Sequence, residues 1–329
     1  PISLTSIVCK TMEHILYSNI LSHLNKDNVL TDFQHGFREK RSCETQLLLT
    51  VNDFANNLNQ GEQVDSILLD FSKAFDKVDH QKLCYKLDHY GIRGKNLKWI
   101  QSFLTGRTQQ VIINGKSSTS APVKSGVPQG TVLGPLLFLV YINDLPSCVK
   151  SKIRLFADDA YLYRVIDSPI DSEILQSDLD ELQKWEKQWS MEFHPDKCDY
   201  TIHNQPLELV DEAKYFGVII QKRLKWNAHV AMTFKKATQS RSFLQRNLRG
   251  CSRSVKDKAY KTYVKPILSY ASTVWSHVGD GNQGLRNQLE IVQRKAARLV
   301  FADWRWQSSP TYMMNKLNWL PLETQRMHS

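Results

Sequence analysis

Apolar positions recur at helical spacing over Ser6–Leu24 and again over Glu44–Leu58, so residues 1–60 read as two helices joined by the polar loop Phe33–Ser42. The period then changes. Ser66-Ile67-Leu68-Leu69 is a short β-rich run ending at Asp70, and a helix is expected from Lys73 onward. Helical spacing returns over residues 81–104, and Val111–Lys116 carries Asn114-Gly115 between β-formers, a hairpin signal. The Gly/Pro loop Ser125-Gly126-Val127-Pro128-Gln129-Gly130 leads into the apolar run Thr131–Asn143.

Beyond that run, Leu155-Phe156-Ala157 and Ala160-Tyr161-Leu162-Tyr163 flank Asp158-Asp159, which reads as two strands with the acidic pair at the tip of their hairpin. An amphipathic helix follows over Asp171–Met191, then a strand over Tyr215–Ile220. From about Ala228 the pattern is helical to the end, with Gly250 as a stop, Pro266 as a break and Gly279–Gly284 as a loop. The last long helix turns Leu285, Leu289, Val292, Ala296 and Leu299 to one side and Arg286, Arg294, Lys295 and Arg298 to the other. No internal repeat or low-complexity linker interrupts the pattern.

With 329 residues, 41% hydrophobic and 23% charged, the chain is long enough for two or three subdomains and too apolar for disorder. The longest apolar run, Val132–Ile142, is too short to cross a bilayer, and Lys10, Glu13 and His14 break up any signal-peptide pattern. The first residue is Pro1, as expected of a piece of a longer product. The six cysteines are scattered without a C-x-x-C pair, which favours free thiols over a disulfide frame; His194, Cys198 and His203 lack a fourth ligand at zinc spacing. Residues 1–200 hold 22 Lys and Arg against 25 Asp and Glu, whereas residues 201–329 hold 21 against 8. Such segregation points to a polyanionic partner along the C-terminal part.

The acidic pair carries the chemistry. Two carboxylates about 4 Å apart repel by roughly 4 kcal/mol at an effective dielectric near 20, and apolar flanks add a desolvation cost. A divalent cation removes both penalties, and oxygen-only ligands suit magnesium or manganese. Asp70, at the end of another strand, supplies a third carboxylate, and the set is a frame for two metals about 3.5–4 Å apart. A helix-capping role is the competing reading of Asp70.

Four blocks stand in order: Asp70-Phe71-Ser72-Lys73-Ala74-Phe75-Asp76, Ser125–Gly130, Phe156-Ala157-Asp158-Asp159 and Tyr215-Phe216-Gly217-Val218. Together they resemble the palm of reverse transcriptases. Gln34-His35-Gly36-Phe37-Arg38 with Arg41-Ser42, and His194-Pro195-Asp196-Lys197-Cys198, further resemble the LINE-type, jockey-like kind from retrotransposons without long terminal repeats. The resemblance implies an α+β right-hand polymerase with helical fingers, an antiparallel-sheet palm and a helical thumb. Fingers would span 1–64, with 81–124 as an insertion; palm 65–80 and 125–225; and a basic thumb with a C-terminal extension 226–329.

The resemblance also implies a role for each block. Asp70 and Asp158 would hold two Mg2+ (or Mn2+) ions, with Asp159 a third carboxylate and the Phe71 carbonyl an extra ligand. Phe75 would wall off the sugar 2′ position, and Gln129 and Gly130 would line the nucleotide and template pocket. Arg38 and Arg41 would clamp the triphosphate, although Glu39-Lys40 stand where relatives usually have Pro-Gly. Lys197 would protonate the leaving pyrophosphate, an exposed structural lysine being its alternative. Ala157 would let the primer end approach, Tyr215, Phe216 and Gly217 would form the primer grip, and Arg246 and Arg249 would track duplex phosphates. The implied activity is RNA-directed DNA synthesis from dNTPs on an RNA template with a DNA primer or target. Its implied setting is an intracellular ribonucleoprotein, cytoplasmic and nuclear, without a membrane. The competing readings are a catalytically inactive or domesticated nucleic-acid binder of the same fold, an RNA-dependent RNA polymerase and a helical scaffold. An upstream endonuclease is expected of the family, and none is expected within these residues.

Overall fold

The computed structural model describes residues 3, 5–194, 201–202, 205–206, 210–276 and 283–327. They divide into two compact units, residues 1–46 with 56–210, and residues 47–55 with 211–329.

The first unit opens with α1 (Ile7–Lys26), started by Ser6 whose hydroxyl accepts the Cys9 N–H, and with the beginning of α2 (Cys43–Asn59), where Ser42 and Thr45 form a reciprocal capping box. Next come β1 (Gln63–Phe71), the short α3 (Ala74–Lys77), α4 (His80–His89) and α5 (Gly94–Leu104). Asp79 caps α4 by accepting the Lys82 N–H. Short strands β2 (Thr108–Gln109), β3 (Ile112–Ile113), β4 (Lys116–Ser117) and β5 (Ala121–Pro122) pair as one arm, with Asn114-Gly115 at its turn. The apolar run forms α6 (Leu133–Ile142), buried all round, as a helix without a polar face must be. After it come β6 (Lys152–Phe156), β7 (Asp159–Ile166), α7 (Pro169–Trp189) and β8 (Phe193–His194).

The main sheet has the order β6-β7-β1-β8, with every pairing antiparallel. Alternation along β1 decides its two faces. Ile67, Leu69 and Phe71 are buried in the core shared with α4, α6 and α7, and their register partners Leu162 and Ala160 on β7 are buried with them. Asp70 falls on the opposite face and is exposed. Leu175, Leu179, Leu182, Trp185 and Trp189 form the stripe by which α7 enters this core. The pairs β9 (Thr201–Ile202) and β10 (Gln205–Pro206) complete the unit.

The second unit holds the hairpin β11 (Glu212–Tyr215) and β12 (Val218–Gln221), then α8 (Asn227–Asn247), α9 (Arg253–Tyr263), α10 (Lys265–Ser269), α11 (Ser272–Trp275), α12 (Gln283–Phe301), α13 (Pro310–Lys316) and α14 (Leu322–Met327). Two details differ from the sequence reading. Tyr215–Ile220 is not one strand but a turn between two, at Phe216 (φ 44°) and Gly217 (φ 80°). The helix stop expected at Gly250 is found: α8 ends at Asn247, and Ser252 caps a new helix by accepting the Val255 N–H. Arg298 does not simply face solvent, since it donates to the carbonyls of Arg305 and Ser308 and ties down the loop after α12.

Buried Leu289, Val292, Ala296 and Leu299 give α12 its inner face, while Arg294 and Lys295 are exposed. Most of Gly279–Gly284 lies outside the described residues, and Gly284 is within α12. Among the described residues Cys9, Cys43, Cys84, Cys148 and Cys251 are free thiols, and no helix is long and apolar enough to cross a membrane.

Candidate active site

Phe156 pairs with Asp159 across the β6–β7 hairpin, so Ala157 and Asp158 are the two turn residues. Ala157 has φ 52°, a left-handed value usually left to glycine, which costs a side chain about 1–2 kcal/mol. The compensation comes from Gln34, buried at 3% exposure. Its Oε1 accepts the N–H of Gly36 at 2.7 Å and of Ala157 at 2.8 Å, and its Nε2 donates to the Ala157 carbonyl at 3.3 Å. Gln34 makes an isolated parallel bridge to Leu155 of β6. Leu155 N–H donates to the Phe33 carbonyl, and His35 N–H donates to the Leu155 carbonyl. A Cβ on Gly36 would collide with the Ala157 backbone, so the loop approaches this closely only because that position is glycine.

The turn delivers the carboxylates. Asp70 is the register partner of Asp159, and Asp158 is the turn residue just before it. Burial, then Asp158, then Asp70 push the Asp159 carboxyl up to about 6. Burial and the Asp70 charge also raise Asp158. Asp158 and Asp159, whose charged forms are disfavoured here, and the neighbouring Asp70 supply the oxygen donors that a hard divalent cation suits. The fit is one of charge and register. Among the described residues no three His, Cys, Asp or Glu side chains are drawn together as a closed metal-holding group.

Other residues singled out from the sequence surround this tip unevenly. Phe71 is buried, its ring stacked on Phe193 at 4.2 Å and tilted against Trp185 at 6.0 Å. Phe75 stacks on Phe138 at 4.4 Å and meets the edge of Phe37 at 6.2 Å. The Ser125–Gly130 loop is fastened to the same segment, since Gly126 N–H donates to the Val78 carbonyl and Val127 N–H to the Phe75 carbonyl. Gln129 Nε2 donates to Asp76 at 3.2 Å, and Gly130 has φ 89°. A Cβ on Gly126 would meet the backbone of Asp76.

The two arginines differ in their engagement. Arg41 is paired with Asp32 at 2.6 Å and also donates to the Gln34 carbonyl. Arg38 is half-buried beside Leu30, Thr31 and Leu155, and one of its terminal nitrogens has no hydrogen-bond partner. Burial, with Arg41 next, drives the His35 imidazole down to about 4, so it is neutral here. Lys197 lies outside the described residues.

In the second unit Tyr215 is buried, the Phe216 ring lies tilted against it at 4.0 Å, and Tyr270 donates its hydroxyl hydrogen to the Phe216 carbonyl at 2.8 Å. Arg246, near the end of α8, and Arg249, beyond it, are both exposed. Gln34 and Glu13 are the structural residues that sequence reasoning passed over. Glu13, buried in α1, accepts the N–H groups of Val132 and Leu133 and so caps α6 from another helix. A carboxylate at the unusual interior position of an otherwise apolar helix face was the available signal for Glu13. For Gln34, the signal was a glutamine two residues before a glycine.

An antiparallel sheet with a carboxylate-bearing hairpin tip beside a strand-end aspartate describes the palm of a nucleic-acid polymerase. Residues 1–220 match the family model described as "Reverse transcriptase (RNA-dependent DNA polymerase)", and the chain belongs to that family. It is 27% identical over 341 residues to "RNA-directed DNA polymerase from mobile element jockey" of Drosophila funebris, covering 96% of this chain and 36% of that protein. It is 28% identical over 335 residues to "Probable RNA-directed DNA polymerase from transposon BS" of Drosophila melanogaster, covering 91% of this chain and 36% of that protein. The chain therefore spans little more than a third of the length of these relatives. Among solved structures it is similar to apo telomerase from Candida tropicalis, with TM-score 0.53 and 10% identity, covering 95% of this chain and 55% of that one. Telomerase from Candida albicans, solved with a fragment of telomeric RNA, gives TM-score 0.52 and 13% identity over 93% of this chain and 58% of that one. At these identities the likeness is one of fold, that of a right-hand polymerase with mixed helices and antiparallel sheet.

Proposed function

We propose that this chain is the polymerase part of a retrotransposon protein of the kind without long terminal repeats. It would copy an RNA template into DNA by adding dNTPs to a primer 3′ end. The observation that carries the proposal is the pairing of Asp70 with Asp159, with Asp158 in the adjoining turn, in a member of the reverse transcriptase family. Residues 1–64 with 81–124 would serve as fingers, 65–80 with 125–225 as palm, and 226–329 as thumb and extension, working in a cytoplasmic and nuclear ribonucleoprotein.

Asp70, Asp158 and Asp159 would hold two magnesium ions, with the Phe71 carbonyl as a further oxygen. When bound, the ions lower the pKa of the attacking 3′-hydroxyl and neutralise the leaving pyrophosphate. The remaining roles belong to the chain. Small Ala157, held in its turn by Gln34, leaves room for the primer end. Phe75, braced by Phe138, would exclude a ribose 2′-hydroxyl, and the Gln129-Gly130 backbone would line the nucleotide pocket. Arg38 and Arg41 would engage the triphosphate after Arg41 leaves Asp32, and Lys197 would give a proton to pyrophosphate. Tyr215, Phe216 and Gly217 would position the primer, and Arg246 and Arg249 would contact phosphates of the duplex.

The test is primer extension on an RNA template with dNTPs and magnesium, comparing the chain with its Asp158→Asn variant. Extension by the former alone is expected. A second reading, a binder of nucleic acid without catalysis, is favoured by the engagement of Arg41 with Asp32. It predicts duplex binding by both proteins and extension by neither.

A further inference from the structure

Residues 108–122 form a two-stranded arm in which every residue is exposed. Thr108 pairs with Pro122 and Gln109 with Ala121, and further out Ile112 pairs with Ser117 and Ile113 with Lys116. Between these pairs the returning strand carries one extra residue, a bulge that twists and bends the ribbon. Seven residues from Arg107 to Ile113 give the arm a reach of roughly 20 Å at about 3.3 Å per residue. Its turn is tight, with Asn114 at φ 51° and Gly115 at φ 77°.

The foot of the arm is fixed. Arg107 donates to the carbonyls of Leu104 and Gly126 at 2.8 Å each, Val123 N–H donates to the Arg107 carbonyl, and His80 Nε2 donates to Gly126 at 2.9 Å. That carbonyl belongs to the loop fastened to Phe75 and Val78, so the arm is rooted in the loop proposed above to line the nucleotide pocket.

Its outer end is unusual in chemistry. Val111, Ile112 and Ile113 are 62%, 62% and 67% exposed. Successive strand residues point to opposite faces, so apolar side chains stand on both sides of the ribbon. A surface that docks on a protein needs one such face; a blade with two fits between separating surfaces. Charge narrows the partner. Residues 89–143 contain no Asp or Glu, yet hold Arg93, Lys95, Lys98, Arg107, Lys116 and Lys124. Lys116 sits across from Ile113 at the tip, and the rest of the arm offers Thr, Gln and Ser side chains, which are phosphate-contacting types.

We propose that this arm is a wedge for nucleic acid, its aliphatic tip entering the junction where a duplex opens into single strand while Lys116 and its basic surroundings hold the phosphates. Aliphatic wedges between base steps are a known way to unstack a duplex. The assignment of the duplex to template ahead of the pocket rests on the polymerase reading above.

The experiment compares the full chain with an Ile112→Ser/Ile113→Ser variant and a Lys116→Glu variant. Extension is measured on two RNA templates that differ only in a stable stem-loop downstream, and binding on labelled fork-shaped RNA and DNA by fluorescence anisotropy without dNTPs. The variants are expected to extend the open template as the parent does, to slow by about tenfold through the stem, and to bind the fork about tenfold more weakly, which is 1.4 kcal/mol. Fork binding by RNA alone, or by both nucleic acids, tells template from displaced DNA. Unchanged fork binding and unchanged passage through the stem overturn the wedge. Concentration-dependent self-association that the isoleucine variant abolishes, with fork binding intact, overturns it in favour of a protein partner. If the parent extends neither template, the polymerase reading fails while the fork-binding comparison still decides the role of the arm.

Discussion

The amide of Gln34 holds Ala157 from both sides, accepting its N–H at 2.8 Å and donating to its carbonyl at 3.3 Å. Gln34→Met keeps the volume but leaves the Gly36 and Ala157 N–H groups buried and unpaired. That substitution is expected to destabilise the first unit by roughly 2–4 kcal/mol, two orphan donors at 1–3 kcal/mol each with partial relaxation. Gln34→Glu retains the acceptor, loses the donor and places a charge near Asp158, so it should cost extension activity more than stability. Urea unfolding alongside primer extension separates the two effects. A Met variant as stable as the parent removes Gln34 from its bracing role.

Much of this region is legible in the sequence, for a physical reason. Apolar strands around Asp158-Asp159 admit few structures other than a hairpin, and Asp70 closes a β-rich run. The register is less legible. The turn is Ala157-Asp158 rather than Asp158-Asp159, because a left-handed alanine has no sequence signature and depends on Gln34, 123 residues away. Phe216-Gly217 reads as mid-strand because β-formers flank it, and the turn there rests on left-handed backbone at both residues. The break at Gly250 is legible, since a glycine suits a helix stop, and Ser252 supplies the cap of the helix that follows.

Glu13 illustrates a second long-range brace. Its Oε2 accepts from Val132 at 2.7 Å and Leu133 at 3.1 Å, placing a carboxylate at the positive end of α6. Glu13→Ala should cost about 1–2 kcal/mol, as for a lost N-cap, and Glu13→Gln less, because its amide oxygen still accepts. Denaturant midpoints of the two variants check the order. Equal midpoints for Ala and parent contradict the capping role.

Acid should weaken the second unit through His229. Its Nδ1 accepts the Ile219 N–H at 3.3 Å, its ring meets Trp275 at 5.2 Å, and burial, then Lys236, push it down to about 4. An unfolded histidine titrates near 6.5, so between these values the unfolded chain holds a proton that the folded one refuses. Stability therefore rises with pH across about 4 to 6.5 and is lost on acidification, by roughly 3 kcal/mol at most. His229→Asn should flatten that part of the profile, read as the urea midpoint against pH. A His229→Asn profile parallel to the parent's shows that the histidine protonates without strain.

At the back of the main sheet, Lys86 is a buried ammonium in an aromatic enclosure. Its Nζ lies 2.5 Å from Asp144 and 3.6 Å from the centroid of Trp189, and it donates to the Tyr141 carbonyl. Asp144 also accepts from the Trp185 indole at 3.1 Å, so the pair joins α4 to the helix that supports Phe71. Burial pushes the Lys86 ammonium down to about 8 despite the Asp144 charge. Removing one partner strands the other, so Lys86→Met should cost about 3–5 kcal/mol. Asp144→Asn should cost at least as much, because it strands the buried ammonium whereas Lys86→Met leaves a partly exposed carboxylate, and the double variant should fall short of the sum by roughly 1–3 kcal/mol. The pH profile carries the sign. From about 8 up to the ordinary lysine value the unfolded chain keeps a proton that the folded chain releases, so the Lys86 contribution makes stability rise with pH there and stay flat below it. Comparing urea midpoints of the parent and Lys86→Met between pH 7 and 10 isolates that contribution. Parallel profiles sink the assignment, and a difference that grows with alkali, in favour of the parent, supports it.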